Sequence, residues 1–203
     1  MAAEVLEIET PQGLARAHVH AVEDPVGVLA LGHGAAGSVG ARDLGAAKRV
    51  ALEQRVSVVL VEQPYLVAGK KSTPRPPVLD EAWTAVIEHL RGGPLDGLPL
   101  VSGGRSAGAR VACRTAAATG SVGVLCLAFP LLPPAREPKS RLPELDAVTV
   151  PTLVVQGVND RFGMPPPGAN REVAEIAGDH RLTTDLAAVA QAVEGWLPRV
   201  LGQ

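Results

Sequence analysis

The stretch Leu100-Val101-Ser102-Gly103-Gly104-Arg105-Ser106-Ala107-Gly108-Ala109-Arg110 limits what this chain can become more than any other. A short apolar run ends in paired glycines, one serine stands between small residues, and an alanine-rich helical pattern starts at once. Strand, sharp turn and helix therefore follow without a connecting loop, which is the pattern of a G-x-S-x-G nucleophile elbow. Such a turn holds its serine in a strained conformation with the hydroxyl projecting, and strand and helix approach so closely that side chains at 104 and 108 would collide. Both positions are glycine. The unpaired N–H groups of the helix start, that of Ala107 first, then point to where negative charge would develop. Five common residues are a weak signal alone, so partners elsewhere must decide what the elbow does.

Ahead of the elbow, Val5–Glu9 and Leu14–Val22 flank Pro11-Gln12-Gly13 and read as an antiparallel hairpin. His18 and His20 share one face of its second strand, where a solvated surface is expected; a metal site would need a third ligand that is not nearby in sequence. Val26–Leu31 is an apolar strand followed by Gly32-His33-Gly34-Ala35-Ala36-Gly37, and a helix over Asp43–Arg55 leads to a strand over Val56–Val61 that ends at Glu62. Two readings compete for that glycine string. As G-x-G-x-x-G after a strand, with an acid closing the next strand, it fits a dinucleotide-binding oxidoreductase. Against this, two strands precede it, and the helix starts only after Gly40, too far along for its N-terminus to hold a pyrophosphate. As an oxyanion loop, the N–H of Ala35 would pair with that of Ala107, and His33 would brace the loop.

Pro64–Val78 reads as a proline-rich basic loop with Lys70, Lys71 and Arg75. Asp80 is then expected to cap a helix whose buried stripe is Trp83, Val86, Ile87 and Leu90, ending at Gly92-Gly93. Beyond the elbow, a helix over Ala107–Thr119, apolar nearly all round, stops at Gly120, and Val122–Phe129 is a further strand. Pro130–Asp146 is irregular, contains five prolines and is too short for a helical cap domain, so an open site is expected. Pro151–Gly157 is another buried strand with Asp160 just beyond it, and Phe162 is expected to pack. A last strand over Arg171–Ala177 leads directly to His180. Thr184 and Asp185 open a closing helix whose apolar face is flanked by a partly buried Trp196.

Composition removes several classes. With 203 residues, one domain over 1–203 is expected, with a core burying about 70% of the unfolded chain's surface. A net charge of −2 offers polyanions no general attraction, and 2% aromatic residues cannot make base-stacking platforms, so no nucleic-acid partner is expected. Met1–Gly13 lacks the basic and apolar segments of a signal peptide, and the longest apolar run, Val122–Leu132, is too short to cross a bilayer. A cytoplasmic protein without a membrane partner is the expectation. Cys113 and Cys126 have neither C-x-x-C spacing nor histidine neighbours and read as buried structural thiols.

Strands alternating with helical patterns imply a mostly parallel sheet with helices on both faces. Ser106, Asp160 and His180 each follow the carboxyl end of a different strand, in the order nucleophile, acid, histidine. With His33-Gly34-Ala35-Ala36-Gly37, Gly104-Arg105-Ser106-Ala107-Gly108, Gln156-Gly157-Val158-Asn159-Asp160-Arg161-Phe162-Gly163 and Gly178-Asp179-His180, the chain resembles the dienelactone hydrolase-like branch of the α/β-hydrolases, in particular its small lidless members. The resemblance implies an α/β-hydrolase fold: a mostly parallel central sheet, an N-terminal antiparallel hairpin and no cap domain. Dienelactone hydrolases carry cysteine where this chain has Ser106, so their lactone specificity is not implied.

What is implied is a serine hydrolase for a small soluble ester or thioester, using Ser106, His180 and Asp160 as a triad and Ala35 with Ala107 as oxyanion donors, with no cofactor or metal. A base of imidazole type must be neutral, so activity should rise between about pH 6 and 8. Asp179 competes with Asp160 for the acid role, but adjacency to His180 places it poorly. Arg105 and Arg161, aided by Lys70 and Lys71, are candidate contacts for an anionic acyl group, with structural ion pairs as the plainer account. A non-catalytic binding module on the same fold stays open.

Overall fold

Pro11 and Gln12 form the two-residue turn between β1 (Glu4–Thr10) and β2 (Gly13–His20), which pair antiparallel with Thr10 opposite Gly13. The computed structural model describes residues 3–203 apart from Ala36, Pro94, Pro134 and Pro138. Ala36 of the glycine string and two prolines of the 130–146 segment thus lie outside the described residues, as do Met1 and Ala2. Along β2, Ala15, Ala17 and Val19 are buried. Arg16, His18 and His20 alternate with them on the other face, where His18 Nε2 lies 3.2 Å from Glu62 Oε2.

The remaining strands are β3 (Gly27–Gly32), β4 (Val56–Glu62), β5 (Leu100–Arg105), β6 (Gly123–Leu127), β7 (Thr152–Gly157) and β8 (Arg171–Ile176). They make one sheet with the hairpin, in the order β1-β2-β4-β3-β5-β6-β7-β8. From β4 to β8 all neighbours are parallel, and β2 joins β4 antiparallel. Every residue of β3, β5 (save Arg105), β6 and β7 is buried, as a parallel sheet covered on both faces requires.

Helices α1 (Arg42–Glu53) and α6 (Leu186–Leu201) cover one face. Leu44, Val50, Val189 and Val193 pack there on Leu29, Leu31, Val58 and Leu60. The alternate residues Val28, Ala30, Val59 and Val61 face the other way, beneath Trp83, Val86 and Ile87 of α3 (Pro76–Arg91) and Val111 of α4 (Ala107–Thr115). Cys113 and Cys126 are buried free thiols with their sulfurs 3.5 Å apart.

Four features depart from expectation. α3 starts at Pro76 rather than at an Asp80 cap, because the missing N–H of a proline at the first helical positions forfeits no hydrogen bond. A one-turn helix, α2 (Pro64–Val67), also interrupts the supposed loop, although Lys70, Lys71 and Arg75 are exposed as expected. α4 is regular only to Thr115, and turns carry the chain on to Gly120. Trp196 is 1% exposed, more deeply buried than its place beside the apolar stripe suggested. Among the described residues, the segment between β6 and β7 holds one short helix, α5 (Leu142–Asp146), and no cap domain, and no helix is long and apolar enough to cross a membrane.

Candidate active site

β5 delivers Ser106 to the carboxyl edge of the sheet in a backbone conformation, φ 53° and ψ −105°, that a residue with a side chain rarely adopts. The Ser106 N–H donates to Leu127 O at 2.9 Å, tying the turn to β6. Why glycine is needed on either side is visible in the packing. A Cβ at 104 would lie 2.6 Å from Gly32 O, and one at 108 would lie 2.5 Å from both Gly32 C and Gly32 O. Strand β3 and helix α4 meet backbone to backbone, and the Gly108 N–H donates to His33 O at 3.1 Å.

His180 leaves the end of β8 and meets two partners. Its Nε2 is 3.0 Å from Ser106 Oγ, and its Nδ1 is 2.8 Å from Asp160 Oδ2. With Nδ1–H donating to the carboxylate, Nε2 is free to accept from the serine. The Asp160 side chain is fully buried, its Oδ1 accepts from the Phe162 N–H at 2.9 Å, and its Oδ2 accepts from Gln156 Nε2 at 2.8 Å. Phe162 stands edge-on to the imidazole with centroids 4.5 Å apart, so it packs as expected. Asp179 turns instead to Arg181, accepting its N–H at 2.9 Å. Gln156 has no role of its own in the sequence reading, and the signal for one is a glutamine within an otherwise apolar buried strand, which needs a polar partner.

His33 braces the loop beyond β3. Nδ1–H donates to Gly34 O at 2.8 Å, while Nε2 accepts the Gln63 N–H at 3.1 Å, a pattern open only to the neutral ring. Because N–H and C=O of one trans peptide point oppositely, fixing Gly34 O also aims the Ala35 N–H away from His33. The Ala35 carbonyl is held in turn by Tyr65 Oη at 2.8 Å and Thr73 Oγ1 at 3.2 Å. Ala35, Ser106 and Ala107 all line one cleft of about 320 Å³.

Burial lowers the pKa of His33 below that of an ordinary histidine. Below about pH 6.5 the unfolded chain takes up a proton that the folded chain refuses, so stability should fall as pH drops from that value toward the lower folded one, and be unaffected above it. Thermal midpoints measured from pH 7.5 to 5.5 should therefore decline, and His33→Asn should flatten the slope. His20, whose pKa burial also lowers, adds to the decline. An identical slope in His33→Asn would remove this account.

Arg105 does not line the cleft. Its Nε lies 2.9 Å from Asp43 Oδ2, a carboxylate only 1% exposed, and its Nη2 donates to the His180 carbonyl at 3.1 Å. Burial raises the pKa of Asp43 and the guanidinium opposes that rise. Removing the cation would leave a buried, unpaired acid, so Arg105→Ala should cost ~3 kcal/mol, read as a lowered thermal midpoint. An acid of raised pKa loses stability as pH climbs through its folded value, so the loss should be smaller at pH 4.5 than at pH 7. Equal losses at the two values would contradict it. Arg161 is exposed and stacks on Phe162, 4.8 Å from the ring centroid.

α1 begins at Arg42, beyond Gly40, so the glycine string opens no helix and offers no helix-start cradle for a pyrophosphate. Residues 25–188 match a family model described as an alpha/beta hydrolase domain. The chain belongs to the α/β-hydrolase family.

This α/β-hydrolase is similar in structure to a serine hydrolase without a lid from Xanthomonas campestris, with a TM-score of 0.78 and 19% identity over 98% of this chain and 95% of that one. It is likewise similar to Est1E from Butyrivibrio proteoclasticus with ferulic acid bound (TM-score 0.77, 16% identity, 98% and 100% covered). A dienelactone hydrolase from Anabaena variabilis gives a TM-score of 0.77 at 15% identity, with 97% of each chain covered. At such identities the likeness speaks for the fold alone. No curated protein matches by sequence.

Proposed function

We propose that this α/β-hydrolase is a serine carboxylesterase or thioesterase that cleaves a small soluble acyl substrate through an acyl-enzyme. The observation that carries the reading is the unbroken run of contacts from Ser106 Oγ through His180 to Asp160, at 3.0 and 2.8 Å. As Ser106 Oγ bonds to the substrate carbonyl carbon, its proton passes to His180 Nε2, and Asp160 stabilises the imidazolium. The carbonyl π electrons move to oxygen, which the N–H groups of Ala35 and Ala107 receive. Collapse breaks the bond to the alcohol or thiol, which departs with the proton from His180. Water then repeats the sequence on the acyl-enzyme, releases the acid and restores the serine.

Arg105 positions the His180 backbone in this scheme, and Gln156 holds the acid. A fluorophosphonate probe should label Ser106 in the wild type and fail on Ser106→Ala, after which p-nitrophenyl esters of graded chain length define the acyl preference. An unlabelled Ser106 with no ester hydrolysed would leave a binding module in place of an enzyme.

A further inference from the structure

The cleft that holds Ser106 and Ala107 is also lined by three arginines, Arg110, Arg114 and Arg141. Arg110 and Arg114 sit one turn apart on α4, and both are matched by carboxylates. Arg110 Nε and Nη2 grip Glu144 at 2.9 and 2.6 Å. Arg114 grips Asp80 at 2.8 and 2.6 Å and reaches Glu144 at 3.1 Å. Arg141, immediately before α5, differs. Its Nη1 donates to the Pro130 carbonyl at 3.1 Å, and no carboxylate lies within ion-pair distance of it among the described residues. Its main-chain N–H donates to Leu131 O at 2.8 Å, which ties the Arg141 backbone to the base of the loop between β6 and α5, while the Pro130 carbonyl holds the guanidinium. Burial, and then repulsion from Arg110, pull its pKa below the usual arginine value against the attraction of Glu144, which is already shared by Arg110 and Arg114; the guanidinium remains charged at neutral pH. Three cations against two carboxylates leave this wall with one positive charge uncompensated.

We propose that the substrate is a carboxylate-bearing ester or thioester, its anionic group received by Arg141 while Ser106 attacks the acyl carbon. The inference rests on the serine-hydrolase reading and adds the substrate class to it. A half-buried cation with no carboxylate in ion-pair contact is unfavourable, and an incoming carboxylate offsets part of that cost. The planar fork of arginine presents paired donors to the two oxygens of a carboxylate, and only one is committed to Pro130. One uncompensated charge suits a monoanion, whereas a neutral acyl chain would leave Arg141 unpaired in a cleft whose other walls include Leu79 and Phe162. The positive charge expected at Arg105 and Arg161 is thus supplied from elsewhere.

The test compares matched esters by kcat/KM. One pair is p-nitrophenyl hydrogen adipate and p-nitrophenyl hexanoate, with the carboxylate on the acyl chain. The other is 4-carboxyphenyl hexanoate and 4-carbamoylphenyl hexanoate, with the carboxylate on the leaving group. The anionic member of one pair should be favoured at least ~10-fold, the size of a single charge-assisted hydrogen bond, chiefly through KM. In Arg141→Gln the ratio should fall to about 1, while Arg141→Lys keeps part of it and added NaCl erodes it in the wild type. Ser106 labelled by fluorophosphonate but no anionic preference, or a preference that Arg141→Gln leaves intact, overturns this inference alone. No labelling and no hydrolysis of any ester overturns the serine-hydrolase reading, and this inference with it.

Discussion

Ser106→Ala is expected to lower kcat by up to about 10⁶, with His180→Ala close behind and Asp160→Asn costing less. The order follows from what each group does to the proton. On the proposed mechanism there is no acyl-enzyme without the hydroxyl, and without the imidazole the hydroxyl keeps its proton through the attack, so either deletion would remove the whole covalent route. An asparagine in place of Asp160 preserves shape and one oxygen but withdraws the charge facing the imidazolium, and the partner at 2.8 Å then holds the ring less strictly in the required tautomer. Both deletions should leave the fold intact, because the Ser106 and His180 side chains contact each other at the rim rather than the core. The measurement is steady-state hydrolysis of p-nitrophenyl acetate with thermal midpoints taken alongside. Full activity in Ser106→Ala would end the assignment.

Gly108→Val should be among the most damaging single changes to stability. The added Cβ would come within 2.5 Å of the Gly32 carbonyl group and 2.9 Å of His33 O, both of them main-chain atoms at the end of β3 that cannot swing aside. Overpacking against backbone costs ~3 kcal/mol or more. In a chain of this size that lowers the midpoint by roughly 6–12 °C. Since Gly108 N–H also bonds to His33 O at 3.1 Å, any shift that relieves the clash displaces the loop bearing Ala35. Activity should therefore fall even in the fraction that remains folded. A midpoint and rate equal to those of the wild type would show that strand and helix are less tightly joined than described.

What was legible in the sequence was whatever depends on neighbours along the chain. The elbow, the hairpin turn, the alternating β2 face and the buried stripe of α3 each carry a local pattern of size and polarity. Ser106, Asp160 and His180 each follow a strand, and the carboxyl ends of parallel strands share one edge. Less visible was anything settled by pairing across the fold. Asp43 has no sequence feature linking it to Arg105, and Arg110, Arg114 and Arg141 find Glu144, Asp80 and the Pro130 carbonyl only once α3, α4 and α5 have docked. Proline misled at helix starts. Pro64 and Pro76, read as loop residues, open α2 and α3.

The contorted peptide at Ser106 has an evolutionary corollary. Its penalty, on the order of 1–3 kcal/mol, burdens the resting molecule whether or not any substrate is near. Glycine tolerates such dihedrals freely. A descendant relieved of the need to react could therefore become sturdier by mutating that one codon to glycine, and silent copies of this architecture should be easy for natural selection to produce and hard for it to reverse.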